Sequence, residues 1–175
     1  IARKTSLAVA AKNTMLVARG PLQPVEEGNV SLEEGEEEVF ALGDVSCSVA
    51  RNRPPPEDDA DDEEREAWGV GDLRVTSRRV VWERRSIAPA AVHRDAMPGF
   101  GLRVAHVGLH AVSTDPDTFP RPCLYAQLLL DAFPASEDHP RDLFFAPADA
   151  ADLPAVFDAF SRAVALNPDD DDDDD

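Results

Sequence analysis

Side chains that do chemistry are few in this sequence, and their spacing argues against most of what they offer. The four histidines are His93, His106, His110 and His139. His106 and His110 stand four apart, but in a strand-like segment rather than on a helix. No cysteine or carboxylate falls at ligand spacing beside them, so no metal site is expected. Cys123 follows Pro122 at a strand start with no base near it in sequence, and reads as a half-buried structural thiol rather than a nucleophile. Cys47 and Cys123 are the only cysteines; they are too few for a disulfide framework and point to a reducing compartment. Gly69-Val70-Gly71 lacks the third glycine and the following helix of a dinucleotide fingerprint, and reads as the entry to a hairpin. Paired carboxylates abound, yet in charge runs where nothing fixes their geometry or shifts their pKa. Arg78, Arg79, Arg84 and Arg85 form the one basic cluster. It reads first as a solvated strand end, and otherwise as a surface for acidic lipid or for the chain's own acidic loops. No catalytic residue and no cofactor are expected, and the chain reads as a binding module rather than an enzyme.

The charge that surrounds these side chains is uneven. The chain has 175 residues, 35 acids, 17 bases and a net charge of -18. Residues 26–38 hold seven Glu, residues 57–66 hold eight acids and one Arg, and residues 169–175 are seven Asp. Outside these windows 13 acids face 16 bases, which leaves about +3. A nearly neutral body with three acidic appendages is expected, because blocks of like charge repel themselves and rarely fold. Direct binding of nucleic acid is not, since phosphate contacts need clustered Lys and Arg. No apolar run approaches the ~20 residues that a membrane-spanning helix needs. The hydrophobic content of 43% overstates the core, because 26 of those residues are Ala.

Residues 1–25 carry Arg3, Lys4, Lys12 and Arg19 and no acid before Glu26. That suits a transit-like segment, a leader without structure, or sequence upstream of a start at Met15. The body starts near Val39. Val39–Val49 supplies one strand, Arg51–Ala67 is a Pro-led acidic insertion, and Gly69–Trp82 is a hairpin turning at Ser77-Arg78-Arg79. Residues 83–98 are a loop. Phe100–Val104 and Val107–Ser113 are strands, with Val107, Leu109 and Ala111 on one face by period-2 geometry. Three prolines make 115–122 a loop. Leu124–Asp131 is a strand covered on both faces, and Leu143–Ala146 is another. Leu153, Val156, Phe157, Phe160 and Val164 then form one helical stripe, with Asp152 as cap and Asn167-Pro168 as stop.

About seven short antiparallel strands and one C-terminal amphipathic helix predict a mostly β fold, a pleckstrin-homology-like curved sheet or barrel with the helix across an open end. The expected organisation is a leader with an acidic run over 1–38, a folded domain over 39–167 with insertions at 51–67 and 83–98, and an acidic tail over 168–175.

Three blocks carry the argument further: GVGDLRVTSRRVVW at 69–82, FGLRVAHVGLHAVS at 100–113 with Leu124-Tyr125 after it, and FFAPADAADLPAVFDAFSRAVALNP at 144–168 running into poly-Asp. In this order they resemble the pICln family of methylosome subunits, also described as nucleotide-sensitive chloride conductance regulators. The resemblance implies a pleckstrin-homology-like fold and an assembly chaperone of the cytosol and nucleus. Such a chaperone binds Sm proteins, keeps them off RNA and presents them to an arginine methyltransferase complex for snRNP assembly. The loops at 51–67 and 83–98 are longer than the family leads one to expect, and the leader 1–14 has no evident counterpart. The resemblance also implies a methyltransferase-docking segment near the end of a long acidic tail, and residues 1–175 contain none.

Sm binding is expected through a free sheet edge at Leu124–Leu130 or Val107–Val112, with Val107, Leu109, Val112, Leu124, Tyr125, Gln127 and Leu129 as contacts. The alternatives are a phosphoinositide-binding membrane adaptor, for which Arg78/Arg79 and Arg84/Arg85 would have to supply the pocket, and a regulator of a volume-sensitive chloride current.

Overall fold

The strand expected after Val39 is longer than its apolar run, and it organises the molecule. The computed structural model describes residues 20–25, 31–51, 65–86, 97–131, 133 and 139–168. Eight strands, β1 (Leu22–Pro24), β2 (Glu38–Arg51), β3 (Arg65–Thr76), β4 (Arg79–Ser86), β5 (Gly99–Arg103), β6 (Val107–Ser113), β7 (Cys123–Leu128) and β8 (Pro140–Pro147), precede one helix, α1 (Leu153–Ala165). The strands form one antiparallel sheet in the order β1-β5-β4-β3-β2-β8-β7-β6. β2 pairs with β3 along most of its length and with β8 over its second half. Its register slips between Leu42 and Val45, where Asp44 takes a φ of 56°. A bulge of this kind bends a strand and lets one sheet curl on itself.

The curl brings distant strands into contact. Phe100 of β5 lies 6.4 Å from Phe145 of β8, although three strands separate them in the sheet. Trp68 and Trp82 flank Phe100 with ring centroids at 5.7 and 6.0 Å. α1 closes the inner face, with Leu153, Val156, Ala159, Phe160 and Ala163 buried. Trp82 Nε1 donates to the Val45 carbonyl at 3.0 Å, so the buried indole is satisfied. At Gly71 a Cβ would lie 2.0 Å from the Glu83 carbonyl oxygen, so β3 and β4 approach closely only because that residue is glycine. The expected pleckstrin-homology-like layout is the one adopted.

Several boundaries differ from expectation. β1 falls inside the expected leader, because Leu22, Gln23 and Pro24 pair with Leu102, Gly101 and Phe100 and complete the β5 edge. β3 begins at Arg65, inside the expected 51–67 insertion, and β4 runs on to Ser86, inside the expected 83–98 loop. Val107, Leu109 and Ala111 do not share a face. The register slips between Val107 and Leu109, leaving Val107 in the core and Leu109 outside it. Asp152 makes no capping bond; Asp149 caps the short 3₁₀ turn that leads into α1, accepting from the Ala151 amide at 2.9 Å. Residues 1–19, 26–30, 52–64, 87–96, 132, 134–138 and 169–175 lie outside the described residues, and with them most of the leader, most of the 51–67 insertion, most of the 83–98 loop and the poly-Asp run.

Candidate functional site

Two strands, β1 and β6, end the sheet. Sheet ends expose unpaired backbone N–H and C=O groups, and proteins usually blunt them with short strands, prolines or charges. β1 is blunted, being three residues long and ending in Pro24. β6 is not. Its seven residues, Val-Gly-Leu-His-Ala-Val-Ser, contain no proline, lysine, arginine or carboxylate. It pairs with β7 on one side, and no described strand lies on the other.

Around this edge apolar side chains stand in solvent. Leu109 is 49% exposed, Val112 41%, and Leu129, just past the end of β7, 45%. Leu109 and Ala111 lie opposite Gln127 and Tyr125, while His110 and Val112 lie opposite Ala126 and Leu124. Facing residues of paired strands share a side of the sheet, so the edge offers apolar groups on both sides. At Gly108 a Cβ would come within 2.6 Å of Leu129 Cδ2, so the glycine lets Leu129 lie across the start of the strand. α1 supports β6 from the inner side. The His110 ring sits 5.1 Å from Phe157 and 5.9 Å from Phe160, and its Nε2 is 3.0 Å from Ser161 Oγ.

Of the seven contacts expected from sequence, three fit this edge: Leu109, Val112 and Leu129. Val107 and Leu124 are core residues. Tyr125 is half-buried, donates its hydroxyl to Asp142 at 2.8 Å and lies 5.5 Å from Phe144. Gln127 is exposed, but on a strand paired on both sides. The expectation that β7 is a free edge is therefore corrected: β7 lies between β6 and β8. Sequence periodicity marks strands but not their lateral order, which long-range pairing sets.

The basic cluster is occupied by the chain itself. Glu36, its side chain fully buried, accepts from Arg79 Nε at 2.8 Å and Nη2 at 2.6 Å, and from the Thr76 hydroxyl. Burial alone would raise the Glu36 pKa, but the Arg79 and Thr76 hydrogen bonds outweigh it and hold the carboxyl at about 2. Arg79 also reaches the Ser31 carbonyl at 3.0 Å, and Arg78 reaches that of Glu34 at 3.2 Å. Arg85 pairs with Asp44 and Asp72, and Arg84 donates to the Trp68 carbonyl. Arg79 and Arg84 are half-buried while Arg78 and Arg85 stay exposed in surface contacts, so the cluster is a partly solvated strand end that meets the chain's own acidic segment, and the placing of residues 31–38 in a detached leader is corrected.

The remaining candidates are inert by position. Cys47 and Cys123 are free and fully buried, which corrects the half-buried reading of Cys123. Desolvation pushes the Cys123 thiol up to about 11 against the pull of Arg65, and pushes Cys47 up further. Among the described residues no group of three or more His, Cys, Asp or Glu converges. His106 lies in a 3₁₀ turn rather than a strand, its ring edge-on to Phe133 at 5.1 Å. Sequence reading missed β1, the Glu36–Arg79 pair and the core role of Trp68. For β6 the signal was available, namely seven residues without charge or proline in a chain this acidic.

Fold and edge define the class: a pleckstrin-homology-like domain whose outermost strand is open to pairing. A family model, Voldacs, described as regulator of volume decrease after cellular swelling, matches residues 71–175. The chain belongs to that family, whose relatives bear the names ICln and pICln. It is 25% identical over 153 residues to the chloride conductance regulatory protein ICln of Arabidopsis thaliana, covering 81% of this chain and 58% of that protein. It is 29% identical over 120 residues to the methylosome subunit pICln of Mus musculus, covering 61% and 47%. The chain thus spans about half the length of the curated relatives it matches. Among solved structures, a chain of the 8S snRNP assembly intermediate superposes with a TM-score of 0.51 at 16% identity, over 89% of this chain and 97% of that one. That likeness shows the fold.

Proposed function

We propose that this protein binds Sm proteins through the β6 edge, keeps them off RNA and presents them for methylation and snRNP assembly, in cytosol and nucleus. The observation that carries the reading is the unguarded edge itself. A strand added to β6 gains main-chain hydrogen bonds, and its alternate side chains meet Leu109 on one side and Val112 on the other. The family relation to a methylosome subunit supports it, as does the shared fold with a component of an snRNP assembly intermediate. Arginine methyltransferase recruitment belongs to the same proposal. The phosphoinositide adaptor loses support, because Arg78, Arg79, Arg84 and Arg85 are all engaged by the chain itself.

Val112→Lys and Leu109→Lys test the edge. Each places a desolvated charge where an added strand would lie, and a loss of about 2 kcal/mol or more in affinity for purified Sm proteins is expected. A Gln127→Pro change would break an interior ladder and unfold the second half of the sheet, so it cannot report on binding. Full Sm binding by a folded Val112→Lys variant would place the interface elsewhere.

A further inference from the structure

His110 is the one ionisable side chain on β6, and it lies on the face that packs on α1, the side that Val112 shares. Its ring is wedged against Phe157 and Phe160 of α1, and its Nε2 meets Ser161 Oγ at 3.0 Å. On the paired side, β7 places Ala126 opposite it. An outermost strand has neighbours on one side only, so it is held in place by one ladder and by whatever packs on its faces. For β6 the packing element is α1, and His110 is where the two are tied by both ring contact and a polar bond.

We infer that His110 is a positioning residue for the β6 edge, holding the free strand against α1 in the geometry that a partner strand must meet. The inference rests on the proposed use of β6 for Sm binding, which it deepens by giving the edge a brace and a condition for its integrity. Among the described residues, the groups around the imidazole offer no counter-charge. Phe157, Phe160 and Ser161 come from α1, whose Asp158 and Arg162 are exposed, and Ala126 comes from β7. Desolvation accordingly holds the His110 pKa below its ordinary value. The neutral ring is the form that fits. Because the folded-state pKa is depressed, the bracing is complete above the ordinary histidine pKa of about 6.5 and is lost as pH falls below it toward the folded value.

The experiment measures affinity for purified Sm proteins from about pH 7.5 to about pH 5.5, together with hydrogen exchange of the β6 amides in the isolated chain. The wild type should weaken on acidification, by at most about tenfold over this range, with faster β6 exchange. His110→Phe keeps a ring on Phe157 and Phe160 but has no proton to gain, so its binding should fall less, the difference being the share of His110. His110→Ala should bind about tenfold more weakly at the higher pH, and Ser161→Ala should accelerate β6 exchange without unfolding the sheet. Unchanged β6 exchange in both His110→Ala and Ser161→Ala would overturn the brace, whatever the partner. Identical pH profiles for wild type and His110→Phe would overturn its protonation dependence. Binding unaffected by Val112→Lys would instead remove the proposed edge, leaving the brace to be judged by exchange alone.

Discussion

Glu36 is the residue whose placement most changes the reading of this chain. It sits in a run of seven glutamates that looks like solvated charge, yet its carboxylate is buried and doubly bonded by Arg79. The folded pKa of about 2 lies below the ordinary value of 4.5. A depressed carboxylate contributes stability that is fully present above its unfolded pKa and is lost as pH falls through the folded one. The domain should therefore lose stability between about pH 5 and pH 2, by about 3 kcal/mol from this group. Acid titration of wild type against Glu36→Gln checks this; the variant should start less stable and show a shallower acid limb. Glu36 was not legible in sequence. Its six fellow glutamates look alike in sequence, and only the fold selects Glu36 for burial against Arg79.

At the scale of elements, α1 was the most legible part. A 3.6-residue period survives into structure because a helix needs no long-range partner to define its faces. The stripe is nonetheless shifted, since Ala159 and Ala163 are buried while Phe157 and Val164 are only partly so. Phe160→Ala should cost about 3–5 kcal/mol in chemical denaturation, whereas Phe157→Ala should cost less because its ring is not fully enclosed. Equal costs would mean that both rings are core. Asn167 fastens the end of the helix to the sheet, donating Nδ2 to the Ser77 carbonyl at 2.6 Å and the Ala163 carbonyl at 2.7 Å. Asn167→Ala should cost about 1 kcal/mol by thermal melt. Strands were legible as strands, but β6 was misphased by one bulge after Val107. β1 was invisible, because three residues ending in proline carry no period.

The whole molecule concentrates its charge. Three acidic windows hold 22 of the 35 acids, around a body near +3. Such a chain should not hold RNA, which is recruited by counterion release onto Lys and Arg. It should compete with RNA for the basic surfaces of a bound partner, and this competition should weaken with salt, because the Debye length is ~8 Å at physiological ionic strength. An RNA-loading assay on Sm proteins, with and without this chain across salt, reads both effects. Tight RNA binding by the isolated chain would sink the chaperone mechanism. The three windows are not equivalent for folding. Removal of residues 1–25 takes away β1 and uncovers the edge of β5, so its melting temperature should drop, whereas removal of residues 169–175 should leave the melt unchanged.

The bare edge of β6 has a further consequence, colloidal rather than functional. A strand without charge or proline does not discriminate between a foreign strand and a second copy of itself, and two such edges can meet antiparallel about a twofold axis. What opposes that meeting is long-range repulsion between molecules that each carry -18. Screening therefore acts in opposite directions on the two encounters. Added salt weakens attraction to a basic partner but removes the barrier between copies. Light scattering on the isolated chain should show self-association that grows with both concentration and ionic strength, and Val112→Lys should suppress it.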